Sequence, residues 1–453
     1  MATLHLRRQR ISFGDLPRSF QDAVVISRSL KFRYLWIDTL CIIQDSIEDW
    51  ATESAQMARI YMSALLTISF TDYQDSYQPI LCDRPELPSC RLGGDKSHVY
   101  VRSKYPCKGD ITPQQTATMI LELPGKILGR SSYLGRRAWA FQERLLSPRV
   151  LNYTAGQLVW ECRQMAKCES NVVNVETHLK LPDVTFEKEP IYRYWLGVVE
   201  SFSQCDLTFP RDKFPALSGI ASEINALVAD TYVAGLWKSD LHEALLWKPG
   251  ENASPVAKYR APSWSWASFD GDIRYDILRE GFIGEDRVRQ VFHRRDIVIF
   301  SHYIHPTTSD PLGMIDEASM TVRGYCAEAD SVALTPGSKS VETIDLLPLP
   351  MPGKNGAVLS SWKFDTSTTQ RISRRYVLLQ VSRWALARKV AVGNVDYDDD
   401  TELVIEDLEI PYIATLILAE ADKVGEYRRV GLAEIRDEHR GKIRWEQREL
   451  TLV

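Results

Sequence analysis

Glu53 is a carboxylate at a position where the helical period calls for an apolar side chain. At about 100° per residue, Trp50, Glu53, Met57, Ile60, Tyr61 and Ala64 fall within one arc of roughly 100°. A carboxylate on such a stripe is costly unless it is paired, hydrogen-bonded or open to a cavity. Two readings follow: Glu53 is neutralised by an arginine or caps a backbone group, or it is a cleft carboxylate. Asp38 raises a similar question, because it interrupts the apolar run that begins at Tyr34-Leu35-Trp36-Ile37. A third group is Arg136-Arg137, followed by Trp139 and Gln142-Glu143-Arg144. Its basic start can meet a charged ligand, or it can open an ion-paired helix packed on a sheet.

The elements that must position these residues read as helix, strand, helix, strand. Leu16-Pro17 opens a first helix with proline in its first turn. The run at 33–38 is rich in aromatic and β-branched residues and suits a strand buried on both faces. Ser46, with Asp49 three residues on and Glu48 beside it, has the form of a helix N-cap with an acidic first turn. The spacing predicts a helix over 47–64 crossing between parallel, adjacent strands at 33–38 and 65–70. Ligands of such sheets sit beyond the carboxyl ends of the strands, where Asp38 and the start of the Glu53 helix would lie.

Three blocks carry a family resemblance. Tyr34-Leu35-Trp36-Ile37-Asp38, Leu40-Cys41-Ile42-Ile43-Gln44-Asp45 and Asp49-Trp50 with Glu53, Met57 and Ile60-Tyr61 resemble the central block of the fungal heterokaryon-incompatibility (HET) domain. Arg137-Ala138-Trp139-Ala140-Phe141-Gln142-Glu143-Arg144-Leu145-Leu146-Ser147-Pro148-Arg149-Val150, with Trp160-Glu161-Cys162 behind it, resembles that family's closing motif. Tyr259-Arg260-Ala261-Pro262-Ser263-Trp264-Ser265-Trp266-Ala267-Ser268 resembles a block common downstream. In the family a strand with a Ser-Tyr-x-Trp-Gly-like motif precedes the Leu-Pro helix by some tens of residues. This chain begins after that point, so a domain lacking its first strand is expected, either because it is naturally shortened or because its start was assigned too late.

The resemblance implies a role in fungal nonself recognition and programmed cell death, in the cytoplasm. HET domains are similar in turn to TIR domains, some of which cleave NAD⁺ with a glutamate on a helix that begins with tryptophan. Trp50 and Glu53 hold a comparable place, at a slightly different spacing. By that resemblance Glu53 is the candidate catalytic residue, and Asp38, Trp50, Arg137 and Trp139 line the nucleotide site. NAD⁺ is then a substrate, with no permanently bound cofactor. The alternative is a non-enzymatic signalling module that assembles with protein partners or with itself, since an exposed sheet edge seeks a partner strand.

Composition narrows the remaining classes. The chain has 453 residues and a formal charge of −5, which suggests two or three domains and gives no basic arm for nucleic acid. No apolar stretch approaches the ~20 residues that span a bilayer, and no secretory signal is visible. The eight cysteines are scattered, which reads as reduced intracellular thiols. Cys82, Cys90, His98 and Cys107 match no zinc spacing, so no metal is expected.

The predicted organisation is α/β: a TIR-like parallel-sheet HET domain over 1–162, a helical region over 163–305 and a β-rich module over 306–453. Val150–Tyr153 and Leu158–Cys162 read as a hairpin. Helices are predicted over 190–205, 213–229 and 238–247. Ser263 to Ser268 alternates small and aromatic residues like a half-buried strand packed on that region, its tryptophans serving as packing. Strands are predicted at Met320–Ala327, Arg375–Val381, Ile413–Ala419, Glu426–Ala433 and Gln447–Val453. No catalytic triad, phosphate loop or dinucleotide fingerprint occurs in this last part.

Overall fold

A computed structural model of the chain describes all residues except 1–3, 83–88, 93–98, 103–131, 155–157, 170–173, 177–187, 276–280, 284–285, 309, 331–359, 366–374, 389–407, 437–439 and 442. The chain divides into two compact units, Met1–Phe186 with Cys205–Ile224, and Glu187–Gln204 with Asn225–Val453. These boundaries differ from cuts at 162 and 305, because composition marks loops whereas packing assigns the helix at 189–203 and the segment 205–224 to different cores.

In the first unit, helix α1 (Arg18–Ser29) buries Ser19, Asp22, Ala23, Ile26 and Ser27. The buried Asp22 carboxylate accepts the N–H groups of Ile80 (2.7 Å) and Leu81 (3.2 Å), which ties the loop after the first strand back to the helix. Helix α2 spans Ile47–Ser63, and the Ser46 hydroxyl accepts the Asp49 N–H at 3.2 Å, as its sequence predicts. Strand β1 (Thr67–Phe70) follows. Helix α3 (Ala138–Leu146) leads into strand β2 (Arg149–Tyr153), which pairs parallel with β1, Thr67 opposite Val150. Strands β3 (Leu158–Cys162), β4 (Met165–Cys168) and β5 (Asn174–Glu176) add antiparallel, giving the order β1-β2-β3-β4-β5.

The expected strand at 33–38 does not form, so its parallel pairing with β1 is corrected. Residues 32–37 have no regular structure, and Asp38–Cys41 is a helical turn. Tyr34 is 84% exposed. An apolar run becomes a strand only when a neighbour takes its backbone hydrogen bonds. Here the Asp38 carboxylate accepts the Thr39 N–H at 2.7 Å, a local bond that competes with extended structure and starts a turn. The parallel element is supplied instead by β1 and β2, with α3 before β2.

Three devices fix α3. Arg144 forms a two-pronged pair with the buried Glu161 of β3, at 2.9 and 2.8 Å. The Gln142 side-chain oxygen accepts the Gly219 N–H at 2.9 Å. Gly219 lies in a helix spanning Pro215–Val228, and a β-carbon there would stand 2.4 Å from the Ala58 β-carbon, so only glycine admits this approach.

The second unit opens with α4 (Glu189–Ser203), whose Trp195, Leu196, Val199 and Phe202 are buried. Its sheet comprises β6 (Gly281–Ile283), β7 (Asp286–Arg295), β8 (Val298–Pro306), β9 (Ile315–Asp330), β10 (Ser360–Phe364), β11 (Arg375–Arg388), β12 (Leu408–Glu420), β13 (Glu426–Arg436) and β14 (Glu446–Leu452). The order is β6-β7-β11-β12-β13-β14-β9-β8, with β10 on β13. Because β9 also pairs with β11, strands β11, β12, β13, β14 and β9 close a ring, which removes free edges among them. All five C-terminal strands predicted from sequence are present, but the β-rich region begins near 281 rather than 306. Of the predicted helix at 238–247, Lys238–Asp240 is 3₁₀ and Leu241–Ala244 is α-helical.

Ser263 to Ser268 is not a strand but a turn running into a short 3₁₀ helix, Trp266–Ser268. The Ser265 hydroxyl accepts the Ala267 N–H and donates to the Ala234 carbonyl, which bends the backbone back on itself. Trp264 and Trp266 are fully buried and donate to the Leu452 and Gly235 carbonyls, at 3.3 and 3.0 Å. Trp266 meets Phe202 of α4 edge to face at 6.2 Å. Beneath them, the buried Arg429 binds both oxygens of Asp365, donates to the Leu245 and Trp247 carbonyls and stacks 3.6 Å from the Trp247 ring.

Candidate functional site

The candidate site is built in the first unit from one face of α2, the N-terminal end of α3 and the turn at Asp38. Near the start of α2, Trp50 meets Trp139 of α3 edge to face, with centroids 6.4 Å apart and planes at 87°. The Trp139 indole N–H donates to Asp212 at 3.3 Å. Burial raises the Asp212 carboxyl, while that hydrogen bond and the charge of Arg211 oppose the rise.

Near the end of α2, the Tyr61 ring packs edge-on against Trp36 at 5.7 Å. Its hydroxyl lies beside the Glu143 side chain. The Glu143 carboxyl is raised to about 7, chiefly because burial penalises its charge; the Tyr61 hydroxyl lowers it, Asp38 raises it, and Arg137 lowers it. Burial and the Glu143 charge push the Tyr61 phenol far above its ordinary value. A carboxyl poised near neutrality beside a second carboxylate and a guanidinium is a recurrent feature of reactive sites.

Arg137 is exposed at the N-cap of α3. Its neighbours are engaged in structure, Arg136 with Asp206 at 3.1 Å and Arg144 with Glu161. Among the described residues no hydrogen bond or ion pair holds the Arg137 guanidinium. The two readings of the basic segment are therefore divided between residues: Arg136 and Arg144 are ion-paired, and Arg137 remains available to an anion.

Glu53 is half-buried on α2, one turn beyond Trp50. No arginine or lysine pairs with it among the described residues, and no hydrogen bond engages its side chain there. The structure thus brings Asp38 and Arg137 within electrostatic range of Glu143, and joins Trp50 to Trp139. It links Glu53 to them only through α2. Glu143 and Tyr61 were not picked out as site residues, yet helical period places Glu143 on the Trp139 face, four residues on, just as it places Tyr61 on the Glu53 stripe.

For metals, the donor atoms of Asp240, His242 and Glu243 in the second unit lie within 4.8 Å of one another, all three residues being buried. Arg193 stands 4.0 Å from Glu243. Burial, then Arg295 and Arg193, lowers His242 to about 4. Arginines directed at the group act as its counter-charges, so it reads as a buried polar network. Of the loose cysteine and histidine group, His98 and Cys107 lie outside the described residues.

Residues 2–143 match the family model described as Heterokaryon incompatibility protein (HET). This interval contains Asp38, Trp50, Glu53, Tyr61, Arg137, Trp139 and Glu143. No curated protein and no solved structure matches the chain. Among the described residues no helix is long and apolar enough to cross a membrane.

Proposed function

We propose that this heterokaryon-incompatibility domain protein acts in fungal nonself recognition and programmed cell death, in the cytoplasm, through a TIR-like domain that cleaves the nicotinamide–ribose bond of NAD⁺. The observation that carries the reading is the Glu53 carboxylate: half-buried, on the Trp50 face of α2, and without an ion pair among the described residues. As nicotinamide departs, positive charge develops on the ribose, and a fixed carboxylate stabilises it. Asp38 accepts hydrogen bonds from ribose hydroxyls. Trp50 and Trp139 offer an aromatic wall, and the unpaired Arg137 meets the pyrophosphate. NAD⁺ is consumed as substrate, and no metal is required.

The test is NAD⁺ loss and nicotinamide release by purified full-length chain, compared with Glu53→Gln. The variant keeps volume and hydrogen bonding while removing the charge.

A non-enzymatic assembly module is the second reading, favoured by the position of β1 at the end of its sheet, with β2 its only strand partner among the described residues. Such an edge can pair with another chain. Cell killing that is equal in wild type and Glu53→Gln, without NAD⁺ loss, selects this reading.

A further inference from the structure

One edge of the candidate site is supplied from outside the interval 2–143 that the family model matches. The segment 205–214 belongs to the first unit and runs beside the start of α3. The Asp206 carbonyl accepts the Ala138 N–H at 3.1 Å, and the Asp206 N–H donates to the Arg136 carbonyl, so the backbone from which Arg137 emerges is bridged on both sides. Further on, in the short 3₁₀ helix Pro210–Lys213, the Asp212 carboxylate accepts the Trp139 indole N–H at 3.3 Å. Trp139 in turn stands 6.4 Å from Trp50, which lies one turn before Glu53 on α2. Asp212 is 5% exposed. Its second oxygen has no hydrogen-bond partner among the described residues, and the largely exposed Arg211 guanidinium stands 3.9 Å from it. A buried carboxylate so lightly compensated is costly, and a leucine of similar size would avoid that cost. What the carboxylate supplies is direction: an indole can turn over about its χ2 bond, and the hydrogen bond fixes which edge meets Trp50.

We propose that Asp212 is a positioning residue of the NAD⁺ site, holding the Trp139 indole in the orientation in which it and Trp50 receive a flat ring of the nucleotide. This role rests on the NAD⁺ reading above and adds to it a residue from beyond the matched interval. Asp212 touches no reacting atom and acts through Trp139. A wall fixed before the ligand arrives loses less side-chain freedom on binding, so the gain is in affinity. The wall meets a ring that is the same before and during bond cleavage, whereas the developing charge on the ribose is met by Glu53. Loss of the Asp212 bond therefore weakens ground state and transition state alike, which raises KM and leaves kcat nearly unchanged.

The experiment measures kcat and KM for NAD⁺ cleavage by full-length wild type, Asp212→Leu, Asp212→Asn, Trp139→Phe and the double variant Asp212→Leu/Trp139→Phe. Asp212→Leu should raise KM by about 10-fold, the scale of one lost hydrogen bond to a charged group. Asp212→Asn, whose side-chain oxygen still accepts the indole N–H, should recover most of that loss. Trp139→Phe removes the same bond from its other end and should raise KM as well, so the result does not depend on how well Asp212→Leu folds. In the Trp139→Phe background, Asp212→Leu should add nothing further, because the bond it breaks is already gone. A merely structural role would instead lower the fraction of active protein, and with it kcat, at unchanged KM. A wild-type KM in Asp212→Leu or in Trp139→Phe, additive effects in the double variant, or no recovery in Asp212→Asn overturns the role of Asp212 while leaving NAD⁺ cleavage intact. Absence of NAD⁺ cleavage by wild type overturns both readings together, so the two failures are distinct.

Discussion

Trp50 and Trp139 stand edge to face, their centroids 6.4 Å apart although 89 residues separate them in the chain. Edge-to-face pairs set relative orientation as well as adding contact energy. Here the pair holds the start of the Glu53 helix against the start of α3, so the two motif blocks meet at the place where Arg137 emerges.

The anchor of α3 on the sheet should be the pair Arg144–Glu161, because Glu161 is buried and both its oxygens are engaged. Arg144→Met leaves that carboxylate uncompensated and should cost about 3–5 kcal/mol. Urea unfolding should show a lower midpoint, and Arg144→Met/Glu161→Leu should recover much of the loss.

Gly219 should tolerate no side chain. Gly219→Ala brings a methyl to 2.4 Å of the Ala58 β-carbon and 2.8 Å of the Gln142 side-chain oxygen, and it disturbs the bond from the Gly219 N–H to Gln142. Overpacking of this kind costs about 1–3 kcal/mol. A thermal melt indistinguishable from wild type would contradict the close approach of these helices.

In the second unit, Arg429→Lys should be far from conservative. A lysine cannot bind both Asp365 oxygens, reach the Leu245 and Trp247 carbonyls and stack on Trp247 as Arg429 does. Loss of buried charge-assisted hydrogen bonds predicts destabilisation of about 2–4 kcal/mol, read as a lower melting temperature.

Glu143 should make stability depend on pH. Its folded value of about 7 lies above the ordinary 4.5, so the folded state holds the proton more tightly. Stability from this group is present below pH 4.5 and is lost as pH rises through 7. At about 1.4 kcal/mol per unit, the loss is on the order of 1–3 kcal/mol. Glu143→Gln should therefore match wild type near pH 4 and exceed it near pH 8. Parallel curves for the two proteins would contradict the perturbed carboxyl.

The sequence was most legible where a rule is local. Ser46 caps α2 as its spacing with Asp49 predicts, and Val150–Tyr153 pairs with Leu158–Cys162, segments that only a few residues of sequence separate. The C-terminal strands were readable from their apolar patterning, but their ring closure through β9 and β11 was not, since it depends on pairing between distant segments. The segment 33–38 misled because its apolar composition describes a strand that needs a neighbour, whereas Asp38 starts a turn. Ser263 to Ser268 misled because alternation also arises when Ser265 bonds backbone groups on both sides of a tight bend.

Asp38, Trp50, Arg137 and Trp139 are candidates by residue type and motif. Glu143 was harder to see because its environment comes from Tyr61 and Asp38, which are 82 and 105 residues away. Helical period places a side chain on a face, but the charge state of that side chain depends on what the opposite face supplies.

The central claim concerns the charge on Glu53, and the most direct measurement is the rate of NAD⁺ loss by purified wild type and Glu53→Gln at equal melting temperature. The account predicts measurable cleavage by wild type and a fall of at least about 10²-fold in the variant, the scale of losing one electrostatic contact to a transition state. Equal NAD⁺ loss by the two proteins would contradict it.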